Sequence, residues 1–204
     1  TRFFRFGMIG LFLTTGLNAE ETNQEPGNPS VREQLRLAKR FFDGGGFEQA
    51  RVIYETLLAD PEFAPQPPIP VPDKQAAAEI WQKYRRELAA RGKRQNQREL
   101  VKYHRARCLL ELAGKDLKAL ARARDELLYL GENRDRFPQP QYTQEALFWA
   151  GRAQLKLEME SDRQGHPLHS KPSSAELFRR LLDSQAPVEI ESEANRHLRS
   201  EEHT

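Results

Sequence analysis

The chain has 204 residues, with 32 Lys+Arg against 30 Asp+Glu and 38% hydrophobic residues, enough for one domain with a packed core or for a short helical array. Ala, Leu, Arg, Glu and Gln are abundant while Val and Ile are scarce, which argues for helices and against a sheet. Charges of both signs are interspersed, as on a solvated surface, and the single cysteine excludes a disulfide within the chain.

Residues 1–19 read as a secretory signal. Arg2 and Arg5 form a basic start, Phe6 to Leu17 an apolar stretch, and Leu17-Asn18-Ala19 a small-residue cleavage site ahead of Glu20-Glu21. The apolar stretch is too short to span a bilayer comfortably. Cleavage after Ala19 and a periplasmic or secreted location are therefore expected, with an uncleaved anchor as the alternative. Losing Arg2 and Arg5 from the 32 basic residues leaves 30, against 30 acidic, so the pI of 8.7 overstates the basicity of the processed chain. Such a balance demands neither nucleic acid nor an anionic membrane.

Residues 20–28 make a polar lead-in, and Asn28-Pro29 is a good helix start. A helix over 29–43 should end at Gly44-Gly45-Gly46, and a second should run over 47–59 to Asp60-Pro61. The proline-rich stretch 61–72 reads as an extended strap between helices. Asp73 is expected to cap a helix over 73–91, with Ala76, Ile80, Tyr84 and Leu88 every fourth residue, Ala77 and Trp81 alongside, and Gly92 as its break. The next helix, 95–113, carries two apolar stripes: Tyr103, Ala106, Leu110 and Ala113 on one face, Val101, Cys108 and Leu112 on another. Two stripes suit a helix covered on both sides in a stacked array. Cys108 reads as a buried small hydrophobe rather than a nucleophile.

Gly114 ends that helix. Residues 116–130 form the next, closed by Gly131, and Pro138 and Pro140 punctuate a loop. A helix over 143–160 carries Ala146, Ala150, Ala153 and Leu157, followed by a polar loop over 161–172. Ser173 caps a helix to Leu182, and Pro187 opens a last one to about Leu198. The ending Arg199-Ser200-Glu201-Glu202-His203-Thr204 resembles the translation of a sequencing adapter and is set aside; the natural chain is expected to continue.

Short helices paired about glycine turns prompt a search for a period. The unit Leu37-Ala38…Phe41…Gly45-Gly46-Phe47…Ala50…Tyr54…Leu57-Leu58…Pro61 resembles the tetratricopeptide repeat. Ala38, Gly45, Phe47, Ala50 and Leu57 fall at its packing and turn sites. An Ala followed seven residues later by Leu recurs at Ala121 and Leu128 and at Ala175 and Leu182. The run Pro140 to Ala153, with Ala146 and Gly151, followed by Ala175 to Leu182 and Pro187 to Leu198, is similar to repeats of the Tol–Pal cell-division coordinator and outer-membrane-assembly lipoprotein families. The resemblance covers residues 30–61 and 95–198. It implies an all-α protein, antiparallel helical hairpins stacked as a short right-handed solenoid over 29–198. It further implies a non-enzymatic scaffold of the bacterial cell envelope that binds peptide or protein partners on a concave face.

Gln34, Arg36, Lys39, Arg40, Arg152 and Lys156 are the candidate partner contacts on that face. The competing reading is a non-catalytic helical domain at the start of a larger envelope enzyme or secretion component. No catalytic residue, metal or cofactor is expected. His166-Pro167-Leu168-His169 has metal-like spacing but no supporting ligands, and Gly44-Gly45-Gly46 lacks the Lys and Ser/Thr of a phosphate loop. His104 reads as a surface or edge residue. The basic stretch from Arg85 to Arg107 reads as a solvated helical face.

Overall fold

The computed structural model describes residues 30–133, 140–166, 172–184 and 186–201. The signal reading, the lead-in, the Asn28-Pro29 helix start, Pro138, His169 and the last three residues lie outside them. The described residues contain no strand. They form seven helices: α1 (Val31–Asp43), α2 (Phe47–Ala59), α3 (Ala78–Leu112), α4 (Leu117–Glu132), α5 (Pro140–Arg163), α6 (Ser174–Leu182) and α7 (Val188–Glu201), with one 3-10 turn at Pro61–Phe63. The all-α expectation holds.

Local chemistry explains most boundaries. Ser30 and Glu33 form a capping box on α1, and Ser173 and Glu176 form another on α6; each satisfies backbone donors that the first turn leaves open. The Asp116 carboxylate accepts from Lys118 and Ala119 at the start of α4. Gly45, Gly114 and Gly165 follow α1, α3 and α5 with φ of 77°, 54° and 74°. A side chain is strained in that backbone conformation, so each glycine lets the chain reverse into the next helix.

Four boundaries differ from expectation. Gly92 breaks nothing: α3 is a single helix of 35 residues that passes through it. One glycine costs a helix only about 1 kcal/mol, and the flanking Arg, Glu, Ala, Lys and Gln outweigh it. Asp73 caps no helix. Its carboxylate accepts from Gln75 N at 3.1 Å and its carbonyl from Ala76 N at 2.9 Å, closing a turn before α3 begins. Gly131 lies inside α4 and is buried; a Cβ there would sit 3.0 Å from the backbone nitrogen of Leu147. It is a close-approach glycine between α4 and α5, not a terminator. Finally, α5 starts at Pro140, where a missing N–H costs nothing, and runs on to Arg163.

Gly92→Ala is therefore expected to stabilise the protein by about 0.5–1 kcal/mol. Its φ is not positive and a Cβ would meet nothing within 4 Å. Urea unfolding followed by circular dichroism tests this, and a loss of stability would mean that the backbone at residue 92 is not ordinary helix.

Each helix packs chiefly on its neighbours in the chain, and α3 also touches α5, as α5 touches α7. Two apolar clusters result. Ala38, Ala50, Tyr54, Leu57 and Phe63 join Val101 and Cys108 in the first. Tyr103, Ala106, Leu110 and Ala113 join residues of α4 to α7 in the second. The two stripes of α3 thus serve opposite clusters, as the sequence pattern predicts. Leu112 departs from it: at the helix end it is 43% exposed.

The residues expected at packing and turn sites of the repeat are buried unevenly. Ala38, Ala50, Leu57 and Ala146 are buried, Gly151 lies against Phe178, and Phe47 is half-buried. Ala121, Leu128, Ala175 and Leu182 are only partly buried. The fully packed positions are Ala50/Tyr54/Leu57, Ala123/Leu127/Leu130 and Ser174/Phe178/Leu181, each at most 2% exposed. A small residue, a large one four on and a Leu seven on therefore recur in α2, α4 and α6. The register expected for α4, two residues earlier at Ala121/Asp125/Leu128, would bring Asp125 into the apolar contact, which its charge forbids.

Candidate functional site

Helices α1, α3 and α5 carry a belt of aromatic and cationic side chains. Arg107 of α3 is its centre. Its guanidinium lies 3.3 Å from the Trp149 ring centroid on α5 and 5.5 Å from that of Phe42 on α1. Arg152, one turn on from Trp149, covers the same ring at 4.8 Å and reaches Glu193 of α7 at 3.5 Å. Arg107 also donates to the Tyr103 hydroxyl at 3.4 Å and lies 3.7 Å from Glu111; Tyr103 in turn donates to Glu145 of α5 at 2.9 Å. Partly desolvated cation–π contacts contribute about 1–2 kcal/mol each, so the belt binds the helices together and also presents charge at their surface.

On α1, Gln34, Arg36 and Arg40 come together with Glu33 and Leu37 around an open depression of about 320 Å³. Leu37 and Phe41 are 45% and 36% exposed beside it. The other candidate contacts lie elsewhere. Lys39 is paired with Asp43 at 2.6 Å, Arg152 is engaged as above, and Lys156 is half-buried. The six residues thus do not form one cluster. The sequence offers Arg107 only as part of the basic stretch and Trp149 only within the repeat-like run, not as contacts of this face, although Arg107 falls one turn after Tyr103, on the same side of α3.

His104 is not a surface residue. Its ring stacks on Tyr54 at 5.6 Å and 13° and meets Phe42 and Tyr103 edge-on at 5.2 Å, and its Nδ1 is buried without a partner. Burial, then the charges of Arg107 and Lys39, push its pKa down to about 4, against the opposing pull of Asp43. The imidazole is neutral at pH 7. Burial likewise pushes the Cys108 thiol up to about 12, so this cysteine is protonated and shielded, as expected of a core residue. Tyr54 and Tyr103 are raised by the same cause.

A buried polar relay joins α4, α5 and α6. Arg124 donates to Gln154 at 2.8 Å, Gln154 donates to Glu158 at 2.7 Å, and Glu158 accepts from the backbone N–H and hydroxyl of Ser174 at 3.1 and 2.5 Å. Gln154 is fully buried, and the Glu158 carboxylate sits at the positive end of α6. Arg124, which fits the apolar repeat badly, is explained by this contact.

Within the basic stretch of α3, Arg91, Lys102 and Arg105 pair with Glu87, Glu99 and Glu126. Arg91 and Arg98 also donate to the carbonyls of Pro67 and Phe63 in the strap. The stretch therefore does more than carry solvated charge: it fastens the proline-rich segment along α3.

Among the described residues, no group of three or more His, Cys, Asp or Glu is placed to hold a metal ion. No helix among them is long and apolar enough to cross a membrane. Comparison with known protein families, with curated proteins and with solved structures finds no match.

Proposed function

We propose that this protein is a non-enzymatic interaction scaffold of tetratricopeptide type, whose hairpins stack as a short right-handed solenoid and hold a peptide or protein partner. The observation that carries this reading is the belt crossing α1, α3, α5 and α7: in a stack of hairpins, the first helices share one face, and extended partners lie along it. The recurrent small, large, Leu pattern of α2, α4 and α6 supports it, because repeated units must pack alike. The signal-like start supports a place in the cell envelope.

The exposed cations Arg36 and Arg40, beside the apolar Leu37 and Phe41, favour a peptide combining acidic and apolar side chains. Peptides selected on the wild-type chain from a random library, measured by fluorescence anisotropy, test this. Arg36→Glu with Arg40→Glu is expected to weaken their binding at least about tenfold. Both side chains are exposed, so folding should be unaffected. Unchanged affinity would remove α1 from the binding face, and failure to select any peptide would count against a scaffold role.

A further inference from the structure

The middle of α3 and the proline-rich strap line a separate, half-open cavity of about 360 Å³. It lies within the size range of small-molecule sites, about 300–1,000 Å³. Phe63 and Leu88 supply apolar surface. Arg91, Arg94 and Arg98, spaced three and four apart on one face of the helix, bring three guanidinium groups to its wall. Gly92 also lines it, and a Cβ at that position would meet nothing within 4 Å, so the missing side chain leaves the space open.

The charge of this cavity is unbalanced. Arg91 pairs with Glu87 at 2.6 Å, whereas no ion pair forms at Arg94 or Arg98 among the described residues. The Nε atoms of Arg91 and Arg98 are buried without a hydrogen-bond partner. Buried donors of this kind cost free energy until an acceptor reaches them. Glycine inside a helix is also unfavourable, so one position gives up stability while keeping the cavity clear.

We infer that the strap and α3 form a binding site for a small organic anion with a short apolar body, a carboxylate or phosphate head facing the arginines and its tail against Phe63 and Leu88. Neither a cationic nor a purely polar ligand fits that combination. A bidentate guanidinium contact suits either head group. The inference is independent of the proposed scaffold role, since it uses the middle of α3, from Leu88 to Arg98, and not the belt around Arg107.

Octanoate, octyl phosphate, octylamine and acetate titrated into the full chain distinguish the outcomes, read by isothermal calorimetry and by the shift in melting temperature. Octanoate or octyl phosphate should bind and raise the melting temperature in a concentration-dependent way, and the stronger of the two identifies the head group. Arg94→Gln should weaken that binding about tenfold. Gly92→Leu should abolish it, filling the cavity while favouring the helix, with the circular dichroism spectrum retained. Absence of binding by both anions would overturn the site. So would equal binding of octylamine, or octanoate binding unaffected by Gly92→Leu. Acetate equalling octanoate would remove the apolar half of the inference.

Discussion

Phe178→Ala is expected to lower the free energy of unfolding by about 3–5 kcal/mol, a large share of the roughly 5–15 kcal/mol that holds a domain folded. The ring is fully buried at the α5–α6–α7 junction. It stacks on His197 at 5.2 Å and 8° and tilts against Phe148 at 6.1 Å. Its edge fills the space that Gly151 leaves on α5, where an added Cβ would sit 2.8 Å from Cε1. Three helices converge on that ring, so the cavity left by alanine has little room to collapse.

The same contact makes a reciprocal test. Gly151→Ala gains about 1 kcal/mol of helix propensity but drives a methyl into an aromatic ring, and overpacking of this kind costs about 1–3 kcal/mol. A net loss is expected. In a Phe178→Leu background the ring edge is gone, so the same substitution should become neutral or stabilising. Urea unfolding of the four variants gives the coupling directly. If Gly151→Ala stabilises both backgrounds equally, the close approach of α5 and α6 at this point is wrong.

Acidification gives the second large effect. The His104 pKa falls from about 6.5 in the unfolded chain to about 4 in the folded one. A depressed histidine means that the unfolded state binds the extra proton first. The contribution to stability is complete above the unfolded pKa and is lost as pH drops from about 6.5 toward 4. Between pH 7 and pH 4.5 this one group should cost about 2–3 kcal/mol. His104→Phe should remove that slope, because a phenyl ring can keep the stacking on Tyr54 and sacrifices no bond at the unpartnered Nδ1. Carboxylates also titrate in acid, so the measured quantity is the difference between wild type and His104→Phe in denaturant unfolding at several pH values. Parallel pH profiles would show that His104 is not buried among these rings. Proton uptake there should loosen the α1–α2 hairpin first, since Phe42 and Tyr54 are the rings its charge would disturb.

The helical content, the glycine turns at 45 and 114, the cap at Ser173 and the double stripe of α3 were legible from the chain itself. Each depends on residues within a few positions, where propensity, capping geometry and the 3.6-residue period act directly. The spacing of small residue and Leu was legible for the same reason. Its register was not: Ala121 and Ala123 both read as small helical residues, and only the approach of α5 selects Ala123 for the crossing and sends Arg124 to Gln154.

Tertiary contact also decided what the punctuation residues do. Gly92 and Gly131 both looked like helix ends, yet one lines an open cavity inside α3 and the other lets α4 lie against α5. His104 looked peripheral beside Lys102 and Arg105, and the folding of α1 and α2 over it made it neutral. Arg107 joined Phe42 and Trp149 across 107 residues of chain, a meeting no local pattern encodes. Local sequence sets which segments become helix and which face is apolar, because those energies arise within a turn or two. Which glycine stays open, which arginine is buried and which imidazole loses its proton depend on the dielectric and the neighbours that packing alone supplies.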